Sequence, residues 1–323
     1  MIRLMRALIW LSLALGAAGA GPAQAEDYPS RTVRLIHGFA PGSATDITAR
    51  VLATYLSQKL GEQVVVESRP GGASNVATEF VARSPKDGYT LLLGTSANLI
   101  NAAISANPSF DFVKDFAPIT LVTSAPLILV VHPSTGAKTV KDLVALAKSK
   151  PEQMFFGSAG VGTTGHLSGE MLNLRAGIKM VHVPYQGSPQ AVTDLLAGRT
   201  SVLFSPASSV MPHVEQGKLT ALAAATPKRT SAAPDLPSMT ESGVPDFDTS
   251  TLFGLLAPAG TPPDVIEKLS RASNDALKSD EVLSTLRTHG LDPVGGSPQD
   301  FARVIASEIA KWGDVARATG LKK

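Results

Sequence analysis

Cysteine is missing from the whole 323-residue chain. That absence removes disulfide scaffolds, thiolate metal sites, thiol nucleophiles and iron–sulfur clusters at once. Aromatic side chains are scarce at 5% and charged ones make up 17%, while 44% of the residues are hydrophobic. This balance describes an aliphatic globular α/β chain, neither disordered nor collagen-like. Neither sign of charge dominates, with 29 Lys and Arg against 27 Asp and Glu. Without a basic run to form an electrostatic footprint, nucleic acid and anionic lipid drop out as partners.

Catalytic and metal-binding patterns are missing as well. No serine stands in G-x-S-x-G, although Gly94-x-Ser96 and Gly72-x-Ser74 come half way. The six histidines (37, 132, 166, 182, 213 and 289) are scattered, with no H-E-x-x-H and no carboxylate at ligand spacing. No catalytic residue, metal or cofactor is therefore expected. His166, at a helix start after a glycine loop, is the one histidine with a functional reading, and capping is its plainer role.

The chain opens on a segment that does not belong to the fold. Arg3 and Arg6 form a basic start, Leu8 to Ala20 is uncharged and apolar, and Ala23-Gln24-Ala25 fits a cleavage site. This is the pattern of a secretory signal peptide, residues 1–25, cleaved after Ala25, and it predicts a periplasmic protein. The apolar run is short for a ~30 Å hydrocarbon core, and no later stretch could span one. Loss of Arg3 and Arg6 brings the mature chain's charges into balance, and loss of Trp10 leaves Trp312 as its one tryptophan. About 300 residues remain, enough for two domains of ordinary size.

Those residues alternate short apolar runs with amphipathic segments, the grammar of a sheet covered by helices. Strands are predicted at 33–36, 64–66, 91–93, 127–131, 154–156, 180–183, 201–204 and 252–256. Helices are predicted at about 44–60, 75–83, from 139, 166–176 and from 188 to near 198. Two long helices open at Thr261-Pro262-Pro263-Asp264 and Ser297-Pro298-Gln299-Asp300. The spacing predicts parallel ladders with right-handed crossovers. In the first helix Ile47, Val51, Leu52 and Tyr55 sit at helical spacing. Several starts pair Ser or Thr with an acid three residues on, the capping-box pattern. The last helix sets Phe301, Val304, Ile305, Glu308, Ile309, Trp312 and Val315 on one core-facing stripe; the helix is expected to be peripheral, which would make Trp312 a poor fluorescent reporter of closure.

Three loops follow strands at one sheet edge, where open α/β sheets bind ligands. Phe39-Ala40-Pro41-Gly42-Ser43-Ala44-Thr45-Asp46 turns from strand to helix, with Ser43 and Asp46 spaced as a capping box. Arg69-Pro70-Gly71-Gly72-Ala73-Ser74-Asn75 and Gly94-Thr95-Ser96-Ala97-Asn98 follow the next two strands. A helix start offers unpaired amides and about half a positive charge, so it accepts an anion without a cationic side chain. In the second half, Gly160, Gly162 and Gly165 match G-x-G-x-x-G. The acid that a dinucleotide site needs ~20 residues on is missing, since Lys179-Met180-Val181-His182 stand there. These glycines read instead as another anion-accepting helix terminus.

The segments Val33 to Asp46, Glu67-Ser68-Arg69-Pro70-Gly71-Gly72-Ala73-Ser74-Asn75 and Ser84-Pro85-Lys86-Asp87-Gly88-Tyr89-Thr90-Leu91-Leu92 resemble the tripartite tricarboxylate transporter substrate-binding family, the TctC-like and Bug-type periplasmic receptors. Val183-Pro184-Tyr185-Gln186-Gly187 and Ala257-Pro258-Ala259-Gly260-Thr261-Pro262 extend the match along the mature chain. One departure is Gly42-Ser43, where the family often carries two glycines. The resemblance implies a type II periplasmic-binding-protein-like α/β fold, with two lobes of mixed or parallel sheet flanked by helices and a ligand cleft between them. Residues 26–125 plus 251–323 would form one lobe and 126–250 the other. It further implies a monomer that takes a small organic acid through loop amides, hydroxyls and bridging waters for membrane permease subunits. The expected ligand-binding set is Phe39, Pro41, Gly42, Ser43, Thr45 and Asp46 in the first loop, then Gly72, Ser74, Asn75, Thr95 and Ser96. Ser158, Gly162, Thr163, Thr164, His166, Tyr185, Phe204 and Pro206 complete it from the second lobe. A secreted α/β hydrolase-like or other enzyme, or a sensing receptor for a signalling partner, is the alternative.

Overall fold

The computed structural model describes residues 28–105, 109–230 and 232–321. The predicted signal segment and its cleavage site lie outside the described residues. In chain order the strands are β1 (Val33–His37), β2 (Val64–Ser68), β3 (Thr90–Thr95), β4 (Phe116–Ala125), β5 (Leu127–Val131), β6 (Phe155–Ser158), β7 (Val181–Pro184), β8 (Val202–Pro206), β9 (Thr220–Ala224), β10 (Thr251–Pro258) and β11 (Asp292–Pro293). The α-helices are α1 (Ala44–Leu60), α2 (Asn75–Ala82), α3 (Ser96–Ile104), α4 (Val140–Ser149), α5 (Thr164–Ala176), α6 (Ser188–Leu196), α7 (Ala207–Glu215), α8 (Pro263–Ala276), α9 (Asp280–Thr288) and α10 (Pro298–Ala318).

Two sheets result. Six strands pair in the order β11-β4-β10-β3-β1-β2, and five in the order β7-β6-β8-β5-β9. The predicted parallel ladders form among β1, β2 and β3 and among β6, β7 and β8. Both sheets are nevertheless mixed, because β10 runs antiparallel to β3 and β4, and β5 antiparallel to β8 and β9. The chain passes from the first sheet to the second at Pro126, between β4 and β5, and returns between β9 and β10. In β1 and β3, Leu35, Ile36, Leu91, Leu92 and Leu93 are fully buried, as continuous apolar runs covered on both faces should be.

Helix α1 buries Ala44, Thr48, Ala49, Leu52, Ala53 and Leu56, a face of mostly small residues that lets the helix axis approach the sheet. Of the predicted stripe Ile47, Val51, Leu52 and Tyr55, only Leu52 is on it, because small side chains rather than the largest ones face inward. The capping boxes form fully at Thr139 with Asp142 and at Ser297 with Asp300. At the start of α8 the pattern fails: Thr261 donates its hydroxyl to the Pro258 carbonyl, and no side chain caps the helix.

Helix α10, expected to be peripheral, is central to the packing, and Trp312 shows it. It is fully buried against Ile100 and Ala103 of α3 and Leu167 of α5, with its indole N–H donated to Glu308 at 2.7 Å. Helix α10 thus packs on a helix of each sheet, and the one tryptophan among the described residues stands where they meet.

Candidate functional site

The same strand–loop–helix device occurs once beside each sheet. After β1, Gly42 takes φ +77° and donates its amide to the Asp46 carboxylate at 3.0 Å, while Ser43 caps α1 by accepting from the Asp46 amide at 3.3 Å. After β6, Gly162 takes φ +78° and donates its amide to His166 Nδ1 at 3.2 Å, while Thr163 caps α5 by accepting from the His166 amide at 3.4 Å. The amides of Ser43 and Thr163 close matching turns on the Ala40 and Gly160 carbonyls. Only glycine takes this left-handed step cheaply, and at Gly162 a Cβ would also stand 2.5 Å from Asn101 Oδ1 on α3.

The capping box expected at Ser43 and Asp46 is therefore only half formed. The hydroxyl does its part, but the carboxylate reaches past the Ser43 amide to serve as a buried hub. One Asp46 oxygen meets His37 Nε2 at 3.2 Å and the other takes Arg50 Nε and the Gly42 amide, both at 3.0 Å. Burial alone would raise the Asp46 carboxyl; the bonds from Arg50 and Gly42 outweigh it and hold the group below its ordinary range. Four residues on from His166 stands Glu170, where the first loop has Arg50, with Oε1 3.9 Å from His166 Nε2. His166 stacks on His182 at 4.0 Å between ring centroids, and His182 Nε2 meets the Ser158 hydroxyl at 2.6 Å.

Burial depresses the histidines: His37 below its ordinary value, His166 to about 4, and His182, with the His166 ring against it, to about 3. The unfolded chain takes up these protons near pH 6.5, whereas the folded chain takes them up only at lower pH, far lower at His166 and His182. Unfolding therefore binds protons, and stability should fall as pH drops from about 6.5 toward 4. Glu170, raised by burial, opposes this weakly just above its ordinary value. Urea titrations at pH 7.5 and pH 5 should differ by about 3 kcal/mol; equal stabilities would contradict the buried neutral imidazoles.

Two cavities lie between the sheets and share Phe39 and Ala159 in their walls. The inner one, about 40 Å³, has room for a few waters. Five helices begin at its wall: α1 through Ser43 to Thr45, α3 through Thr95 and Ala97, α5 through Thr163 to Gly165, α6 through Ser188 and α7 through Pro206. Leu127, Phe204 and Phe253 give it apolar surface, and among the described residues no ionisable side chain lines it. The outer groove, about 540 Å³, is walled by backbone at Gly38, Gly71, Gly72, Ala73 and Gly160 and by the side chains of Tyr185, Gln186 and Gln190. Ser43 and Thr95 each accept one helix amide, a bond that does not use the hydroxyl proton.

Of the expected set, Phe39, Ser43, Thr45, Thr95, Thr163, Thr164, Phe204 and Pro206 wall the inner cavity, and Gly72 and Tyr185 the outer groove. The others stand behind these walls or beside them. Gly42, Asp46, Gly162 and His166 brace the two loops. Ser158 is buried against His182 and Gly160. Ser96 accepts from the Leu252 amide, which ties α3 to β10. Ser74 is fully buried with its hydroxyl toward Gly38, Asn75 bonds Asn101, and Pro41 is exposed. Sequence reasoning missed Ser188 and Thr251. Ser188 had only its helix-opening Ser-Pro as a signal. Thr251, whose hydroxyl meets that of Thr164 at 2.5 Å, had none, because its partner is 87 residues away.

Thr163 differs from its expected role in one respect. Its hydroxyl proton goes to the Gly160 carbonyl at 2.7 Å, so Thr163→Val removes a turn bond as well as a cap. The variant should lose ~1–2 kcal/mol of stability, read as a lowered melting temperature without ligand; an unchanged one would show that the hydroxyl is free.

Comparison with known proteins agrees with this geometry. The profile described as tripartite tricarboxylate transporter family receptor (TctC) matches residues 48–321. Protein BugT of Bordetella pertussis is 36% identical over 324 residues, spanning 99% of each chain. The structure of R. palustris Rpa4515 with adipate matches at TM-score 0.88 and 35% identity, over 91% of this chain and 99% of that one. MatC from Rhodopseudomonas palustris with bound malate matches at TM-score 0.85 and 28% identity, over 89% and 99%. The two mixed sheets with helices on their faces are the periplasmic-binding-protein-like fold of these neighbours. By sequence and by fold, the chain belongs to the TctC family of solute-binding receptors, a family of substrate receptors and not of enzymes.

Proposed function

We propose that this protein captures a small carboxylic acid in the periplasm and hands it to the permease subunits of a tripartite tricarboxylate-type transporter. The observation that carries the reading is the convergence of five helix N-termini on one cavity without an ionisable side chain. Aligned amides and partial positive charge at each terminus favour an anion, and the Ser43 and Thr95 hydroxyls add donors. A charge-assisted hydrogen bond contributes ~1.5–3 kcal/mol, and micromolar binding needs about −8 kcal/mol. A few such bonds from both walls suffice after ordering costs.

Residues 26–125 with 251–323 act as one lobe and 126–250 as the other; the division of strands between the two sheets supports this. The inner cavity takes a carboxylate and the outer groove the rest of the ligand. Ligands of the two neighbours, adipate and malate, are the first acids to try. Export removes residues 1–25, so the mature chain starts at Glu26, and it acts as a monomer.

Calorimetric titration with malate, adipate and related acids tests the reading. One of them should bind at micromolar concentration or below and reduce the radius of gyration in small-angle scattering, because a ligand touching both lobes favours the closed form. Failure of the whole panel would sink the carboxylate assignment. Intact mass of exported protein should correspond to a chain beginning at Glu26.

A further inference from the structure

The second loop is held by an imidazole where the first is held by a carboxylate, and the exchange has a chemical consequence. Because the Gly162 N–H points at Nδ1 of His166 at 3.2 Å, that nitrogen must be an acceptor, and the ring carries its one proton on Nε2. His182 holds the other end of the same loop: its Nε2 meets the Ser158 hydroxyl, which accepts from the Gly160 amide at 3.1 Å. Both rings are stacked together and on Phe156, so neither can swing away without opening the core.

We infer that His166 is a positioning residue for the ligand site: as the Nε2-protonated neutral ring it fixes the loop 160–163 through the Gly162 amide, and a proton added to Nδ1 releases that loop. The inference rests on the binding reading above. It explains why position 166 takes no part in either cavity wall while the residues it braces, Gly160, Thr163, Thr164 and Gly165, do. A bound anion and a neutral His166 should favour each other, because both depend on the same arrangement of amides.

The surroundings agree with a neutral ring. His182 lies against one face, and a second positive charge there would repel the first. Among the described residues the acid paired with the ring is Glu170, too far from Nε2 for a hydrogen bond and itself pushed toward its neutral form by burial. Helix α3 brings the uncharged Asn101 against Gly162. On α10, which packs on α5 through Trp312, Glu308 is engaged by Trp312 and Lys311, and Asp314 by Arg317. No cation among these faces His166 directly.

Nitrogen-15 spectra of histidine-labelled wild type should place the His166 proton on Nε2 at pH 7, and the Gly162 amide should lose its protection from exchange as the ring titrates. His166→Asn keeps an acceptor at the Nδ1 position and cannot be protonated, whereas His166→Leu offers none. With adipate or malate as probe, whichever binds wild type, the asparagine variant should bind at least tenfold more tightly than the leucine variant at pH 7. The probe's own protonation weakens every variant alike. The wild-type to asparagine affinity ratio should therefore fall about fourfold by pH 3.5 from the His166 proton alone. A proton on Nδ1 at pH 7, or equal affinity of the two variants, would overturn the inference. If no acid binds wild type, the transport reading fails, and the spectra still decide the tautomer and the Gly162 bond.

Discussion

Asp46→Ala should lower the unfolding free energy by about 3 kcal/mol and weaken ligand binding at least tenfold. Asp46 is only 4% exposed, and its removal strands the fully buried donor His37 Nε2–H, at ~1–3 kcal/mol when left unpaired, and takes from the exposed Gly42 amide the acceptor that fixes the turn. Arg50 is mostly exposed and regains water, so it adds little. The loss exceeds that of an ordinary helix cap, ~0.5–2 kcal/mol, and the excess is what distinguishes a hub from a cap. Urea denaturation of the ligand-free variant measures the first effect and calorimetry the second. A loss below 1 kcal/mol with wild-type affinity would mean that the first loop stands without its carboxylate.

Gly38→Ala should be as damaging, for a steric reason. A Cβ at Gly38 would stand 2.3 Å from Ser74 Cα and 2.2 Å from Ser74 Oγ. The obstacle includes backbone, and that backbone is already confined: Gly71, Gly72, Ala73 and Ser74 all take positive φ. At Ala73 and Ser74, which are not glycine, this conformation in a groove-lining loop stores strain that the surrounding packing must hold. The added methyl must push the loop 71–74 off β1, with an expected loss of at least ~3 kcal/mol or failure to fold. Gly61→Ala is the comparison, because Gly61 is left-handed with open space around it and should cost only ~1–2 kcal/mol. Equal losses at the two positions would mean that the contact with Ser74 relaxes freely.

The parts legible in the sequence were those written in local chemistry. Hydroxyls one residue after Gly42 and Gly162 announced both helix starts, and Thr139-x-x-Asp142 and Ser297-x-x-Asp300 announced two more. Long-range pairing was not legible. Strand β4 escaped notice because Pro118 interrupts its run, although β10 and β11 flank it and tolerate the proline at a register shift. Helix α7 carries Pro212 inside it, a residue that ordinarily argues against a helix. The cavity wall was half legible for the same reason. Helix-start hydroxyls carry a local signature, whereas Thr251 meets Thr164 only through the chain's return crossing. His166 and Asp46 are spaced like candidate contacts, and their side chains stand one layer behind the cavity wall, bonded to the Gly162 and Gly42 amides. Spacing alone places a residue on a loop; it does not say which way its side chain turns.

Mass spectrometry of small molecules released by denaturing protein purified from the periplasm tests the central claim most directly. An intact small carboxylic acid should be released, rebind to the refolded protein and be recovered unchanged. Recovery of a chemically altered product, or of a cationic or uncharged ligand in place of an acid, would contradict it.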